Sequence, residues 1–139
     1  LSSNVNAIEI FKKKSDKPDW LQLSKNSSLH AIELLKEHPL QINWTMLSEN
    51  SSLHAIQLLR ENPLQIDWTM LSRNPNAIAL LRENPNKINW TQLSRNPNTE
   101  AIALLKENPL QIDWTMLSLN SSLDAIALLR ENLDKINWD

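Results

Sequence analysis

The stretch LSRNPNAIALLRENPNKINW, Leu71 to Trp90, decides the fold of this 139-residue chain, because the same sentence is written six times. Its closing tryptophan recurs as Trp20, Trp44, Trp68, Trp90, Trp114 and Trp138, at separations of 24, 24, 22, 24 and 24 residues. A period in this range marks a stacked array whose units cannot bury their apolar faces alone. The predicted fold class is all-α: an α-solenoid, a superhelical array of six 22–24-residue repeats, each one long and one short helix. The repeats run 1–22, 23–46, 47–70, 71–92, 93–116 and 117–139, and the whole of 1–139 reads as a single array.

Within the unit, Asn74 is a strong candidate N-cap, because its side chain can accept a hydrogen bond from an orphan N–H of the first turn. Pro75 suits the next position, where a missing donor costs nothing. Pro85 pushes the residue before it out of the α region, which ends the predicted helix near Asn84. Ala77, Ile78, Leu80 and Leu81 form a stripe too wide for one contact, so the helix is expected to pack against its neighbours as well as inward. Asp19, Asn43, Asp67, Asn89, Asp113 and Asn137 directly precede the tryptophans and are expected to cap a second helix, partly 3₁₀. Neither helix is long enough to stand alone in water. Stability is expected from a common seam of Trp, the Leu of Leu-Ser, and the Ile and Leu positions. Each Trp offers the most area, about 150–250 Å², and Trp68→Ala is expected to cost about 3–5 kcal/mol.

Differences between copies carry information too. Longer copies open Asn-Ser-Ser-Leu (Asn26, Asn50, Asn120) or Asn-Pro-Asn-Thr-Glu (Asn96 to Glu100), and the short one opens Asn74-Pro75-Asn76. The two extra residues fall at the start of the long helix, where Leu29, Leu53 and Leu123 stand three before the Ile and are expected on its face. Copies with Leu40, Leu64 or Leu110 after Pro carry Met46, Met70 or Met116 after Trp-Thr, whereas the copy with Asn86 carries Gln92. An apolar pair replaced by a polar pair reads as two positions lying close together. The string ENPLQIDWTMLS occurs identically at Glu61 to Ser72 and at Glu107 to Ser118, the mark of recent duplication or of an idealised repeat.

The phased pattern Leu-Ser-x-Asn-Pro-Asn-Ala-Ile-x-Leu-Leu-x-x-Asn-Pro-x-Lys-Ile-Asn-Trp resembles short tandem repeats of uncharacterised giant DNA virus proteins, over essentially the whole chain. It has a looser likeness to leucine-rich variant repeats, which alternate α and 3₁₀ helices. The resemblance implies an α-helical array and supplies no catalytic residues. The Ser-Ser-Leu copies and the eroded first copy (Phe11, Lys12, Lys13, Lys14, Ser15, Pro18) depart from the pattern. Because the chain opens at Leu1 in phase with a repeat, an excerpt of a longer protein or a trimmed array is expected.

Composition narrows the function classes. Lys and Arg total 14 against 16 Asp and Glu, a formal net charge of −2, which exerts no long-range pull on nucleic acid or an anionic membrane. With no cysteine there is no disulfide or thiolate site. With no glycine, tight turns fall to Asn and Pro. No apolar run approaches the roughly 18 residues of a membrane span, and no signal peptide is visible. Localisation stays open between virion and host cytoplasm, which the resemblance allows.

His30 and His54 occupy equivalent positions in adjacent copies and invite a metal reading, but stacked helices stand about 8–10 Å apart. A solvated polar row is the simpler reading, and His38 in place of Asn before Pro39 reads as a local substitution. Glu37, Glu61, Glu83, Glu107 and Glu131 each follow Lys or Arg, a solvated face. No Ser-His-Asp set, phosphate loop or zinc spacing occurs. No catalytic residue, metal or cofactor is therefore expected, and the chain reads as a non-enzyme. The recurrent Ser24, Ser48, Ser72, Ser94 and Ser118 read as small polar residues closing the short helix. Asn26, Asn50, Asn74, Asn96 and Asn120 read either as independent N-caps, the simpler account, or as a ladder between repeats. The tryptophans read as core before they read as base-stacking platforms.

The expected function is a repeat scaffold for protein–protein interaction. Irregular surface positions on a regular frame are how such arrays choose partners. The position between Ser and Asn varies most (Ser3, Lys25, Glu49, Arg73, Arg95, Leu119), so Lys25, Glu49, Arg73 and Arg95 are the candidate partner-binding residues. A second position runs Glu9, Glu33, Gln57, Ala79, Ala103, Ala127. An architectural or virion component that self-assembles is the alternative. A nucleic-acid binder using Arg73, Arg95 and the Lys12 to Lys17 cluster ranks third, because the same faces carry equal acid. No membrane partner is expected.

Overall fold

Each short helix begins where a carboxylate or amide can hold its first turn. The computed structural model describes residues 18–136. The first copy with Ser3, Glu9, Phe11 and the Lys12 to Lys17 cluster, and the last members Asn137 and Trp138, lie outside them. Asp19, Asn43, Asp67, Asn89 and Asp113 accept the backbone N–H three residues on, from Gln22, Met46, Met70, Gln92 and Met116, at 3.0–3.1 Å. These are the expected N-caps. They open the helices Trp20–Lys25, Trp44–Glu49, Trp68–Arg73, Trp90–Ser94 and Trp114–Ser118. All five are α-helical, so the 3₁₀ geometry expected here is found elsewhere.

The long helices are Leu29–Glu37, Leu53–Glu61, Thr99–Glu107 and Leu123–Glu131, with a shortened Ile78–Glu83. Their caps correct the sequence reading. Ser28, Ser52, Asn98 and Ser122 cap them, accepting from Ala31, His54, Glu100 and Ala125 N–H. The asparagine that opens each copy stands two residues too early to do so. In the short copy Pro75 and Asn76 form a turn instead of a first helical turn, and the helix starts at Ile78 after Ala77, with no side-chain cap. Aligned with Asn96-Pro97-Asn98, the short copy lacks the equivalents of Thr99 and Glu100, the first two residues of the long helix.

Each long helix ends on a residue near φ −133°, as at Asn62, Asn84 and Asn108. The side-chain amides of Asn62, Asn84, Asn108 and Asn132 donate to the carbonyl four residues back at 2.8–2.9 Å. The next residue starts a single 3₁₀ turn: Pro39–Gln41, Pro63–Gln65, Pro85–Lys87, Pro109–Gln111 and Leu133–Lys135. Proline fits there because that turn's first N–H needs no partner. Ile42, Ile66, Ile88 and Ile112 then re-enter the core.

All regular structure among the described residues is helical, an all-α repeat array. Contacts cluster into two compact units, Leu1–Met70 and Leu71–Asp139. In the first, Trp20–Lys25 packs on Trp44–Glu49 and Leu29–Glu37 on Leu53–Glu61. In the second, Trp90–Ser94 packs on Trp114–Ser118, while Thr99–Glu107 meets both Ile78–Glu83 and Leu123–Glu131. Like stacks on like, because neighbouring copies present the same shape.

The core itself is aliphatic. Leu47, Leu71, Leu93 and Leu117 are wholly buried, as are Leu35, Leu59, Leu81 and Leu105. Ala31, Ala55, Ala77, Ala101 and Ala125 are also fully buried, a methyl group being what lets long helices approach closely. Trp20, Trp44, Trp68, Trp90 and Trp114 are only half-buried. The seam is made by leucine, and tryptophan covers its margin. Among the described residues, no helix is long and apolar enough to cross a membrane.

Candidate interaction surface

Two hydrogen-bonded ladders hold neighbouring copies in register and decide what is left to face outward. Ser24 Oγ donates to Trp20 O at 2.8 Å and accepts at 3.0 Å from the N–H of Asn43, the cap of the next short helix. Ser94 does the same between Trp90 O and Asp113 N, at 2.8 and 3.0 Å. Ser48 donates to Trp44 O and accepts from Asp67 N, and Ser72 accepts from Asn89 N. These serines are fully buried. They do more than close the short helix: each joins it to the start of the next one.

The second ladder is asparagine. Asn50 Nδ2 donates to Ser24 O at 3.1 Å and Asn26 O at 2.9 Å, while its Oδ1 accepts from Ser52 N at 3.0 Å. Asn96 donates to Ser72 O and Asn74 O at 3.0 and 3.1 Å and accepts from Asn98 N. Asn120 repeats the arrangement on Ser94 O, Asn96 O and Ser122 N. The independent-cap reading is thereby overturned. One end of the amide shapes its own loop and the other satisfies two carbonyls of the preceding copy. Only an amide of this length both accepts and donates twice.

With Ser and Asn both drawn inward, the residue between them must point out. Lys25, Glu49, Arg73 and Arg95 are all exposed, and none of their side chains hydrogen-bonds or ion-pairs with another described residue. Lys25 and Glu49 lie in the first unit, Arg73 and Arg95 in the second. Leu119 takes the same position and is also exposed.

A stronger surface feature lies at the 3₁₀ turns. Leu40, Leu64 and Leu110 are 97%, 98% and 98% exposed. Each stands in a shallow open groove, lined by Glu37, His38, Pro39, Leu40 and Gln41 in one case, and by residues 61–65 and 107–111 in the others. Leucines standing free in water pack against nothing, so the expected contact with Met46, Met70 and Met116 is not made. Leu29, Leu53 and Leu123 likewise lie outside the buried face of their isoleucines, at 44%, 74% and 85% exposure. A signal for the first row was present: Asn86 and Asp134 take the same position in other copies, which a buried site would not admit.

Electrostatics adds one organised feature. Arg82 donates from both terminal nitrogens to Glu107, at 2.8 and 3.1 Å, and lies 3.9 Å from Glu100. The Arg82 hydrogen bond holds the Glu107 carboxyl below the ordinary carboxylate range, and the pairing raises Arg82 above its usual value. A lowered carboxyl stabilises the fold above its unfolded pKa, and that contribution is lost as pH falls through the folded value. Both groups are solvent-exposed, so little stability rides on the pair. An NMR titration should find Glu107 below the value of an ordinary glutamate, and Arg82→Gln should raise it toward that value with scarcely any change in melting temperature. A Glu107 that titrates normally in the unaltered protein would contradict the pairing.

His30 and His54 are exposed, and no group of three or more His, Asp or Glu among the described residues stands together as metal donors would. His38 lies against Trp20, ring centroids 5.1 Å apart. Compared with protein-family models, curated proteins and solved structures, the chain matches none of them.

Proposed function

We propose that this chain is a non-enzymatic repeat scaffold that binds a protein partner through side chains held in water at the same point of successive copies. The observation that carries the reading is the row of leucines at the 3₁₀ turns, 97–98% exposed on a frame otherwise ordered by buried ladders. A leucine so exposed contributes nothing to folding, whereas a partner covering it would gain about 1.5–3 kcal/mol for each side chain fully buried. The row is also variable, leucine twice in the first unit and asparagine, leucine, aspartate in the second. Lys25, Glu49, Arg73 and Arg95 supply a second variable row. Such variation on a constant frame is the means by which repeat arrays distinguish partners.

The test is a combined Leu40→Ser, Leu64→Ser and Leu110→Ser variant beside one reversing all four charged candidates. Each exposed leucine substitution should change stability by no more than about 0.5 kcal/mol, so the melting curve should nearly overlay the original. Partners captured by cross-linking with the unaltered chain should be lost from the serine variant. Loss only on charge reversal would move the surface to the charged row. Partners retained by both variants would refute the proposal, and self-association abolished by the serine changes would make the partner another copy of the chain.

A further inference from the structure

Five Asn-x-Ser/Thr triplets lie among the described residues, beginning at Asn26, Asn43, Asn50, Asn89 and Asn120. This is the acceptor signal for transfer of a lipid-linked oligosaccharide to an asparagine amide, and where it is used it lies on an accessible loop. Here three of the five fall on the buried ladder: Asn26, Asn50 and Asn120 are 2%, 5% and 5% exposed. At Asn50 and Asn120 the amide already donates to two main-chain carbonyls of the preceding copy, at 2.9–3.1 Å. The hydroxyls of the same triplets, Ser52 and Ser122, are engaged as caps of the long helices.

We infer that at Asn50 and Asn120 folding and N-glycosylation exclude each other: the unfolded chain is the acceptor and the folded array is not. Transfer joins Nδ2 to C1 of the sugar, expels one amide proton and releases the lipid diphosphate. The product keeps one N–H where the rung needs two, and the sugar must occupy space filled by the preceding copy. A carbonyl is left buried without its donor, and the two copies cannot close. The modification therefore traps whatever chain it reaches before folding. This does not depend on what the surface leucines bind.

An oligosaccharyltransferase supplied with a lipid-linked oligosaccharide tests the inference on three substrates: the folded chain, the chain held unfolded in urea the enzyme tolerates, and a peptide spanning 116–126. Site-resolved mass spectrometry should find Asn120 modified in the peptide, and Asn50 and Asn120 in the unfolded chain. In the folded chain modification should be at least about 100-fold slower, since it tracks the small population of open molecules. A Leu93→Ala chain, which opens more often, should be modified faster than the unaltered one. Glycosylated chain returned to native buffer should not regain the original helical signal or melting transition. Modification of the folded chain at the peptide's rate, or full refolding of the glycosylated product, would overturn the inference. So would a peptide or unfolded chain that the enzyme ignores.

Discussion

Asn96→Asp should nearly unfold this protein at neutral pH and recover part of its stability in acid. Asn96 is 1% exposed, donates to Ser72 O and Asn74 O, accepts from Asn98 N, and offers its own carbonyl to Asn120. An aspartate keeps the acceptor but turns a charged oxygen toward two carbonyl oxygens. Each buried group left unpaired costs about 1–3 kcal/mol, more where a charge is involved, so a loss of roughly 3–6 kcal/mol is expected. That is a large part of the roughly 5–15 kcal/mol by which small domains are stable. Desolvation and the facing carbonyls would hold the new carboxyl above its unfolded value. The deficit relative to the unaltered chain should therefore be smallest below about pH 4 and grow as pH rises through the carboxyl range. Asn96→Leu, which loses donor and acceptor alike, should be destabilised without that added pH dependence. Urea unfolding of all three proteins at acid and neutral pH separates these outcomes. An Asn96→Asp protein within about 1 kcal/mol of the original at pH 7 would refute the ladder as an energetic element.

Leu93→Ala should cost about 2–5 kcal/mol, and Trp90→Leu should cost less than that. The contrast tests which side chain makes the seam. Leu93 is fully buried and has nowhere to collapse from, since its copy is packed against by the next. Trp90 is half-buried at the margin of that seam, where an aliphatic side chain keeps the inner part of the contact. Because copies contact only their neighbours, the cavity at Leu93 should loosen amides of its own and the adjoining copy first. Hydrogen exchange would show this as lost protection centred on Trp90–Ser94 and Trp114–Ser118. The reverse order of the two costs would return the tryptophans to the centre of the core.

Much of this was legible in residue order because the signals are local. Asp or Asn before each tryptophan caps a helix with an N–H three residues away, and proline stops the long helix two positions after its last charged residue. Such bonds close within one turn of chain, so their spacing is written in the sequence. The variable exposed positions Lys25, Glu49, Arg73 and Arg95 were also legible, since they sit between two residues whose identity never changes from Ser and Asn. What stayed hidden was every choice between a near and a far partner. Asn96 could serve locally as a cap or distantly as a rung between copies, and residue order does not decide between the two. Leu64 and Met70 vary together from copy to copy, yet the shared cause is not contact, because Leu64 stands in water.

The sequence by itself determined that the chain is an all-α repeat and where each helix starts and stops to within a turn. Only the tertiary structure decided that tryptophan stands outside the fully buried core, that serine ties one short helix to the next and asparagine one copy to the next, and that the leucines of the 3₁₀ turns face solvent. The physical reason is reach. Helix caps and turns are settled by groups a few residues apart, whereas burial and the ladder bonds, 17 to 26 residues apart, exist only once one helix lies against its successor.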